Sequence, residues 1–417
     1  MSFQSTKLVV HVADIALSAE TGMGRIACHW QQALEQRGYE FIHIGRDQVG
    51  RLPHRGLFGA AAYLAYRRLG RTATFFLVHE AAASGFVNRS IPVVVFSHGL
   101  DRRSWELGLA RGDRLSLKSR LLFPLWRLRP CDRGIKRATT LLFSNTEDVA
   151  FAHSYYGRTP DDIFVFRNGA DLVPLPPCQA RTFYPPLPPL TRGGVGSAPP
   201  LLRGVGGISD LGDMAERSDL RDVAGISNPI PDLAPITVGF IASWLPRKGT
   251  ETLLRAADLL YQRGVRLRWL LAGTGGDAAT IGDFWRPDLQ DALEIIPHFP
   301  ASAELGILAR CDLVVLPSFF EGQPLSLLQA MAAECCCIAT DCCGQRDVIQ
   351  HGENGLLFPV GQAERLADLI ATCAHDADLR SRLGMGGWRS LQSRAWPEVA
   401  AEVVDRIELA LGLDQTG

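Results

Sequence analysis

The sequence predicts an α/β chain of two doubly wound domains facing across a cleft, and three features carry that prediction. Short β-branched runs alternate with helical patterns in both halves, the signature of parallel sheets with helices on each face. A chain of 417 residues is too long for one ordinary core and suits two. A stretch of 62 residues, Pro174 to Pro235, holds 12 of the 25 prolines and 8 glycines, and it separates the halves. The expected divisions are 1–173, an insertion at 174–235, a second domain at 236–395, and a C-terminal helix at 396–417, which is expected to return to the first domain.

Leu8-Val9-Val10-His11-Val12 reads as a buried strand. A turn at Thr21-Gly22-Met23-Gly24 follows, then a helix with Ile26, Trp30, Ala33 and Leu34 on one face, ending at Gly38. Apolar runs bounded by turn residues place further strands at Phe41–Ile44, Thr74–Val78, Pro92–Phe96, Thr140–Phe143 and Ile163–Phe166. The second half repeats the arrangement at Ile236–Ile241, Arg268–Ala272, Leu293–Ile296, Leu313–Leu316 and Cys336–Thr340, with a helix from Thr250 to Gly264. In open sheets of this kind ligands bind beyond the carboxyl ends of the strands, so functional residues are expected just after these runs. The insertion is too poor in apolar residues to offset its ordering entropy and is expected to be disordered.

Composition excludes several function classes. The chain is 47% hydrophobic and 21% charged, which fits a folded soluble protein. Lys plus Arg total 43 against 44 Asp plus Glu, so the net charge of −1 offers no global attraction for nucleic acid. Neither a signal-peptide core nor a membrane-length apolar run is found, and a cytoplasmic protein is expected. Five of the ten cysteines crowd into 335–343. Neighbouring strand residues point to opposite faces, so these thiols cannot converge on one ion and are read as small buried hydrophobes.

The richest stretch in chemistry runs from Pro317 to Ala332. A strand ends at Pro317, Glu321-Gly322 makes a turn, Gln323 follows, and Pro324-Leu325 sits where a helix begins without needing every amide hydrogen. The free amides and positive end of that helix suit a diphosphate, and Glu321 can accept hydrogen bonds from sugar hydroxyls. Taken alone, Glu321 could equally be an acidic residue offsetting the helix dipole. Ser243-Trp244-Leu245-Pro246-Arg247-Lys248-Gly249 lies between the first strand of the same domain and a helix, where Lys248 can meet phosphate.

These segments together resemble the group 1, or family four, retaining glycosyltransferases. The resemblance rests on Gly22-Met23-Gly24, Ser97-His98-Gly99, Phe166-Arg167-Asn168-Gly169-Ala170-Asp171, Arg247-Lys248-Gly249, Leu271-Ala272-Gly273-Thr274-Gly275, the Glu321 segment and His351-Gly352-Glu353-Asn354-Gly355-Leu356-Leu357. It implies the GT-B fold, two Rossmann-like domains, and transfer of sugar from a nucleotide diphosphate sugar, which is a co-substrate, with no cofactor. By that likeness Gly22 and Gly24 let backbone approach donor or acceptor, His98 faces the transferred sugar, Lys248 neutralises the diphosphate and Glu321 binds donor hydroxyls. Gly273, Gly322, Gln323, Pro324 and Leu325 complete the donor site.

Two positions depart from the family pattern. Gln329 stands where a second glutamate holds the ribose, and Ser243 where an arginine is frequent, with Arg247 as the neighbouring substitute. A charged acceptor makes the stronger hydrogen bond, so a glutamate restored at 329 is expected to tighten donor binding, by about tenfold at most. No Asp-x-Asp motif stands near a strand end, and no metal is expected. The spacing of Gly273, Gly275 and Gly276 does not make a dinucleotide fingerprint, which disfavours a dehydrogenase.

Residues 102–137 carry 11 Lys or Arg against 3 Asp or Glu, interleaved with leucines and aromatics. Two readings fit: a segment contacting anionic membrane, which would place the protein peripherally at the inner face and near a lipid-linked acceptor, or a basic helix packed on the first domain and broken at Pro124. The acceptor, a glycan or a lipid-linked saccharide, is not written in the sequence. A sugar-nucleotide epimerase or phosphorylase of the same fold, or a chain that binds nucleotide sugar without turnover, are the rival readings.

Overall fold

Buried on both faces, the apolar runs of the sequence form two all-parallel, six-stranded sheets in the computed structural model, which describes residues 7–87, 90–112, 116–172 and 236–413. The first sheet comprises β1 (Lys7–Val12), β2 (Tyr39–Ile44), β3 (Phe75–His79), β4 (Val93–Ser97), β5 (Thr140–Phe143) and β6 (Ile163–Val165), in the order β2-β1-β3-β4-β5-β6. The second comprises β7 (Thr237–Ile241), β8 (Arg268–Ala272), β9 (Leu293–Ile296), β10 (Leu313–Leu316), β11 (Cys336–Thr340) and β12 (Leu356–Phe358), in the order β12-β11-β10-β7-β8-β9. Strand order reverses beside β7 and β10, and beside β1 and β3, so each sheet has a switch point where its loops diverge and leave a crevice. The expected insertion falls outside the described residues.

Eleven of the twelve strands lie where apolar runs predict them. The twelfth, β12, is only three residues long and follows the Glu353–Gly355 turn, so no periodic signal marks it. Cys335, Cys336, Cys337, Cys342 and Cys343 are all buried and free, and they act as small apolar side chains in the second domain. The helix Gly22–Gln36 begins where a turn was expected: the Gly24 amide donates to Thr21 Oγ1 at 3.2 Å, which caps its first turn. Gly24 has to be glycine, because a Cβ there would stand 2.2 Å from the Ser18 carbonyl oxygen.

The chain leaves the first domain through Phe166–Asp171 and is met there by the last helix, Trp396–Leu411. Val399, Val403, Val404 and Ile407 of that helix join the core formed with Val9, Ile26 and Trp30. Trp396 stacks on His29 at 4.4 Å, and Gly169 passes so close to its indole that a Cβ would lie 2.5 Å away. The Glu408 carboxylate accepts hydrogen bonds from Tyr39 at 3.0 Å and from Arg37 at 2.8 Å. The last helix therefore fastens the second domain's chain to the first domain's sheet.

Pro124 does not break the basic helix. Residues Pro124–Leu128 form a wider, π-type turn that joins Leu117–Phe123 to Arg129–Arg137. The Arg129 amide donates to the Pro124 carbonyl five residues back, so the ladder widens by one residue after the proline instead of ending there.

Candidate functional site

The two switch points face each other. Glycine is required where backbone meets backbone: a Cβ on Gly322, in the loop after β10, would lie 2.1 Å from the His98 carbonyl oxygen, after β4. One on Gly99 would lie 2.7 Å from the Phe320 ring. Around this contact run polar links between the domains. Glu147 accepts from the Cys343 amide at 2.8 Å and from Arg346 at 2.9 Å, and Asp347 accepts from the Thr146 amide at 2.7 Å.

Two helix starts from opposite domains approach at one point. The helix Leu325–Ala332 begins after Pro324, which occupies its cap position, and the ideal Cβ position on Gly22, first residue of Gly22–Gln36, lies 3.7 Å from Leu325 Cδ1. The first amides of each helix have no carbonyl one turn behind them, so the two positive ends point into shared space. A cavity of about 280 Å³ opens there, lined by Gly22, Arg25, Gly273, His298, Leu325 and Ser326 among others. Helix starts facing one another across a cavity of this size suit an anion carried between domains.

Lys248 and Glu321 meet beside this cleft. The Gly249 that ends the Lys248 turn has φ +75°, and a Cβ there would strike the Pro317 carbonyl at 1.9 Å, so the Lys248 turn lies directly on the chain leaving β10. Lys248 Nζ pairs with Glu321 Oε1, and Ser318 Oγ donates to the same oxygen at 2.8 Å. Both charged groups are largely buried, so this pair presents one ammonium and one carboxylate at fixed positions.

The other sequence-predicted residues fall into distinct places. Gln323 is a structural fastener: its Oε1 accepts from the Asn168 amide at 2.6 Å and from Arg394 at 3.1 Å, while its carbonyl accepts from Asn168 Nδ2 at 2.8 Å. Ser243 is exposed and lines a separate cavity of about 400 Å³ with Trp244, Thr274 and Asp277. Arg247 is exposed, its carbonyl accepting from the Phe319 amide at 2.8 Å. His98 lies among Trp30, His79, Phe96 and Phe166. Burial, and then the neighbouring His79, pull its pKa down to about 3, so it is a neutral imidazole at physiological pH.

Gln329 is bound to the domain exit. Its Nε2 donates to Asp171 Oδ2 at 2.6 Å, and its Oε1 accepts from the Asp171 amide at 3.4 Å. An amide serves both partners at once, and a carboxylate cannot. The gain expected from a glutamate at 329 therefore meets an opposing term, the Asp171 carboxylate. Gln329→Glu is expected to lower stability by about 1–3 kcal/mol and to leave donor affinity no better. Adding Asp171→Asn should restore the melting temperature, and a single variant as stable as the parent would break this account.

Sequence reasoning missed three charged groups here. Arg25 donates to Glu304 at 3.1 Å and lies 3.6 Å from Asp171, so it crosses the cavity wall between domains. Glu304 is pushed up from its usual pKa by burial, against the pull of Arg25. Arg394, whose pKa burial lowers to about 10, backs the loop that leads into Leu325. Arg25 could have been suspected from its place one residue after Gly24 in a helix's first turn; Glu304 and Arg394 carry no such mark. Among the described residues, Glu80, Asp101 and Cys131 bring potential metal-binding atoms within 4.8 Å of one another. Arg127 already pairs with Asp101 there, at 2.5 Å, and answers part of that charge.

Residues 229–387 match the family described as glycosyl transferases group 1. A GDP-mannose-dependent alpha-mannosyltransferase of Mycobacterium tuberculosis is 32% identical over 193 residues, 44% of this chain and 45% of that protein. Matches to other curated relatives span from 35% to 65% of those proteins. The sucrose-phosphate synthase of Thermosynechococcus elongatus superposes with a TM-score of 0.71 at 15% identity, covering 98% of this chain and 100% of that one. HepE of Anabaena, solved in complex with UDP and glucose, gives 0.62 at 14% identity, covering 96% and 99%. At these identities the structural likeness establishes the fold.

Proposed function

We propose that this chain, which has the GT-B fold and whose residues 229–387 match the group 1 glycosyltransferases, is such an enzyme and transfers a glycosyl group from a nucleotide diphosphate sugar to an acceptor hydroxyl. The observation that carries the reading is the pair of opposed helix starts, at Gly22 and Leu325, with the Lys248–Glu321 pair beside them. That arrangement supplies positive potential for a diphosphate and a carboxylate for hydroxyls within one cleft.

In this reading the donor diphosphate lies against the amides of Leu325 and Ser326, with Lys248 and Arg247 as its cations. Glu321 accepts from donor hydroxyls. The developing charge on the departing diphosphate is stabilised by groups already in place, and the diphosphate itself takes the acceptor proton, so the protein's work is positioning and electrostatics. Configuration at the anomeric carbon is retained, no metal is needed, and the acceptor is a glycan or a lipid-linked saccharide made at the cytoplasmic side. The neutral His98 offers a hydrogen bond rather than a charge. Relatives that use GDP-mannose, and the UDP complex of HepE, support the class of donor.

The test is mass balance over a panel of UDP- and GDP-sugars with simple saccharide acceptors. Stoichiometric release of nucleoside diphosphate with formation of a glycoside of unchanged anomeric configuration is the expected result. Inversion would overturn retention alone. Conversion of the donor to its epimer without acceptor would replace the transferase reading by an epimerase.

A further inference from the structure

The basic segment of the first domain divides into an inner and an outer side. Leu128, Cys131 and Ile135 are buried in or against the core, which fixes the helix Arg129–Arg137 to the sheet. Ahead of it, Leu121, Leu122 and Leu125 are 62%, 42% and 49% exposed. Leu121, Leu125, Arg129, Arg133 and Lys136 recur at steps of four, four, four and three, so they form one outward stripe, leucines first and cations after, all exposed.

This exposure is held by packing. Phe123 stacks on Trp105 at 4.9 Å, and Trp126 meets the His54 ring edge-on at 4.4 Å. The second contact brings the turn 51–57 alongside, with Leu57 49% exposed and Arg51 and Arg55 also exposed. Two segments distant in sequence thus contribute the same pairing of leucine and arginine to one surface. Among the described residues, Asp132 pairs with Arg102 and accepts from Tyr156 at 2.8 Å, and Asp101 pairs with Arg127. Glu106, on the adjoining helix, is half-buried.

We propose that this face, with Leu121, Leu122 and Leu125 entering the headgroup boundary and Arg129, Arg133 and Lys136 on the phosphates, docks the protein on an anionic lipid bilayer. Charge complementarity selects that occupant: rigid leucines at the end of a cationic stripe match a surface that is apolar below and anionic above. The proposal stands apart from the transfer reaction, since its readout is binding alone.

Cosedimentation of the full chain with phosphatidylcholine vesicles, with and without phosphatidylglycerol, tests it. Binding is expected only to the anionic vesicles, and weaker at high salt. Arg129→Ala with Arg133→Ala should lower it by about fivefold per cation removed. Leu121→Ser with Leu125→Ser should lower it at least as far, with melting temperatures unchanged because these side chains face outward. Failure of the parent chain to bind anionic vesicles overturns the proposal and leaves the face to a protein partner. So does equal binding to both vesicles, or binding that survives both pairs of substitutions in folded protein.

Discussion

Replacing Lys248 by alanine is expected to lower kcat/KM for the nucleotide sugar by about 100-fold or more, the range seen when a group aimed at developing transition-state charge is removed. Two effects combine in that number, and they can be separated. Lys248 is paired with Glu321, and both side chains are mostly shielded from water, at 14% and 8% exposed. Deleting the ammonium leaves the carboxylate buried beside the Ser318 hydroxyl without its paired cation, so stability should fall too, by up to about 3 kcal/mol. The double variant Lys248→Met with Glu321→Gln removes both charges and should recover most of the melting temperature. It should not recover turnover, because neither the cation for the diphosphate nor the carboxylate for the hydroxyls is present. Recovery of activity along with stability would show that the pair only holds the loop after β10 in place.

The doubly wound architecture was legible because strands buried on both faces leave long apolar runs, and eleven of twelve strands announce themselves that way. The candidate site was legible in part, for a related reason: ligands gather at strand ends, so Lys248 and Glu321 could be suspected from position before any geometry was known. What the sequence hid are contacts between distant residues. The family resemblance implies a ribose contact at Gln329, yet its amide is matched to Asp171, 158 residues away. Arg25 and Glu304 are 279 residues apart, and neither one's neighbours signal the other. Pro124 misled in the opposite sense. Proline interrupts an ideal α-helix, and only the surrounding chain decides whether the ladder stops or widens by one residue.

Gly322→Ala is the second substitution with a large expected effect, and it should act on closure of the cleft rather than on folding. The added Cβ would sit 2.1 Å from the His98 carbonyl oxygen, 2.5 Å from Ser144 Oγ and 2.7 Å from the His98 carbonyl carbon. Every one of these atoms belongs to the first domain, whereas Gly322 belongs to the second. The clash is therefore relieved if the domains separate by an ångström or so, without loss of either core. That separation weakens the links from Glu147 to Arg346 and from Thr146 to Asp347, and it draws the helix start at Leu325 away from Gly22. A displacement of about 1 Å between reacting groups lowers rate by roughly 100-fold, so kcat should fall by that order. Donor binding rests chiefly on the second domain in the reading proposed, and its affinity should change far less. Titration calorimetry with the preferred nucleotide sugar, beside steady-state kinetics and a melting curve, separates the three quantities. If Gly322→Ala turns over like the parent, the contact with His98 is not part of the working conformation. If instead it unfolds, the glycine serves the second domain's own packing, and closure has to be sought at another contact.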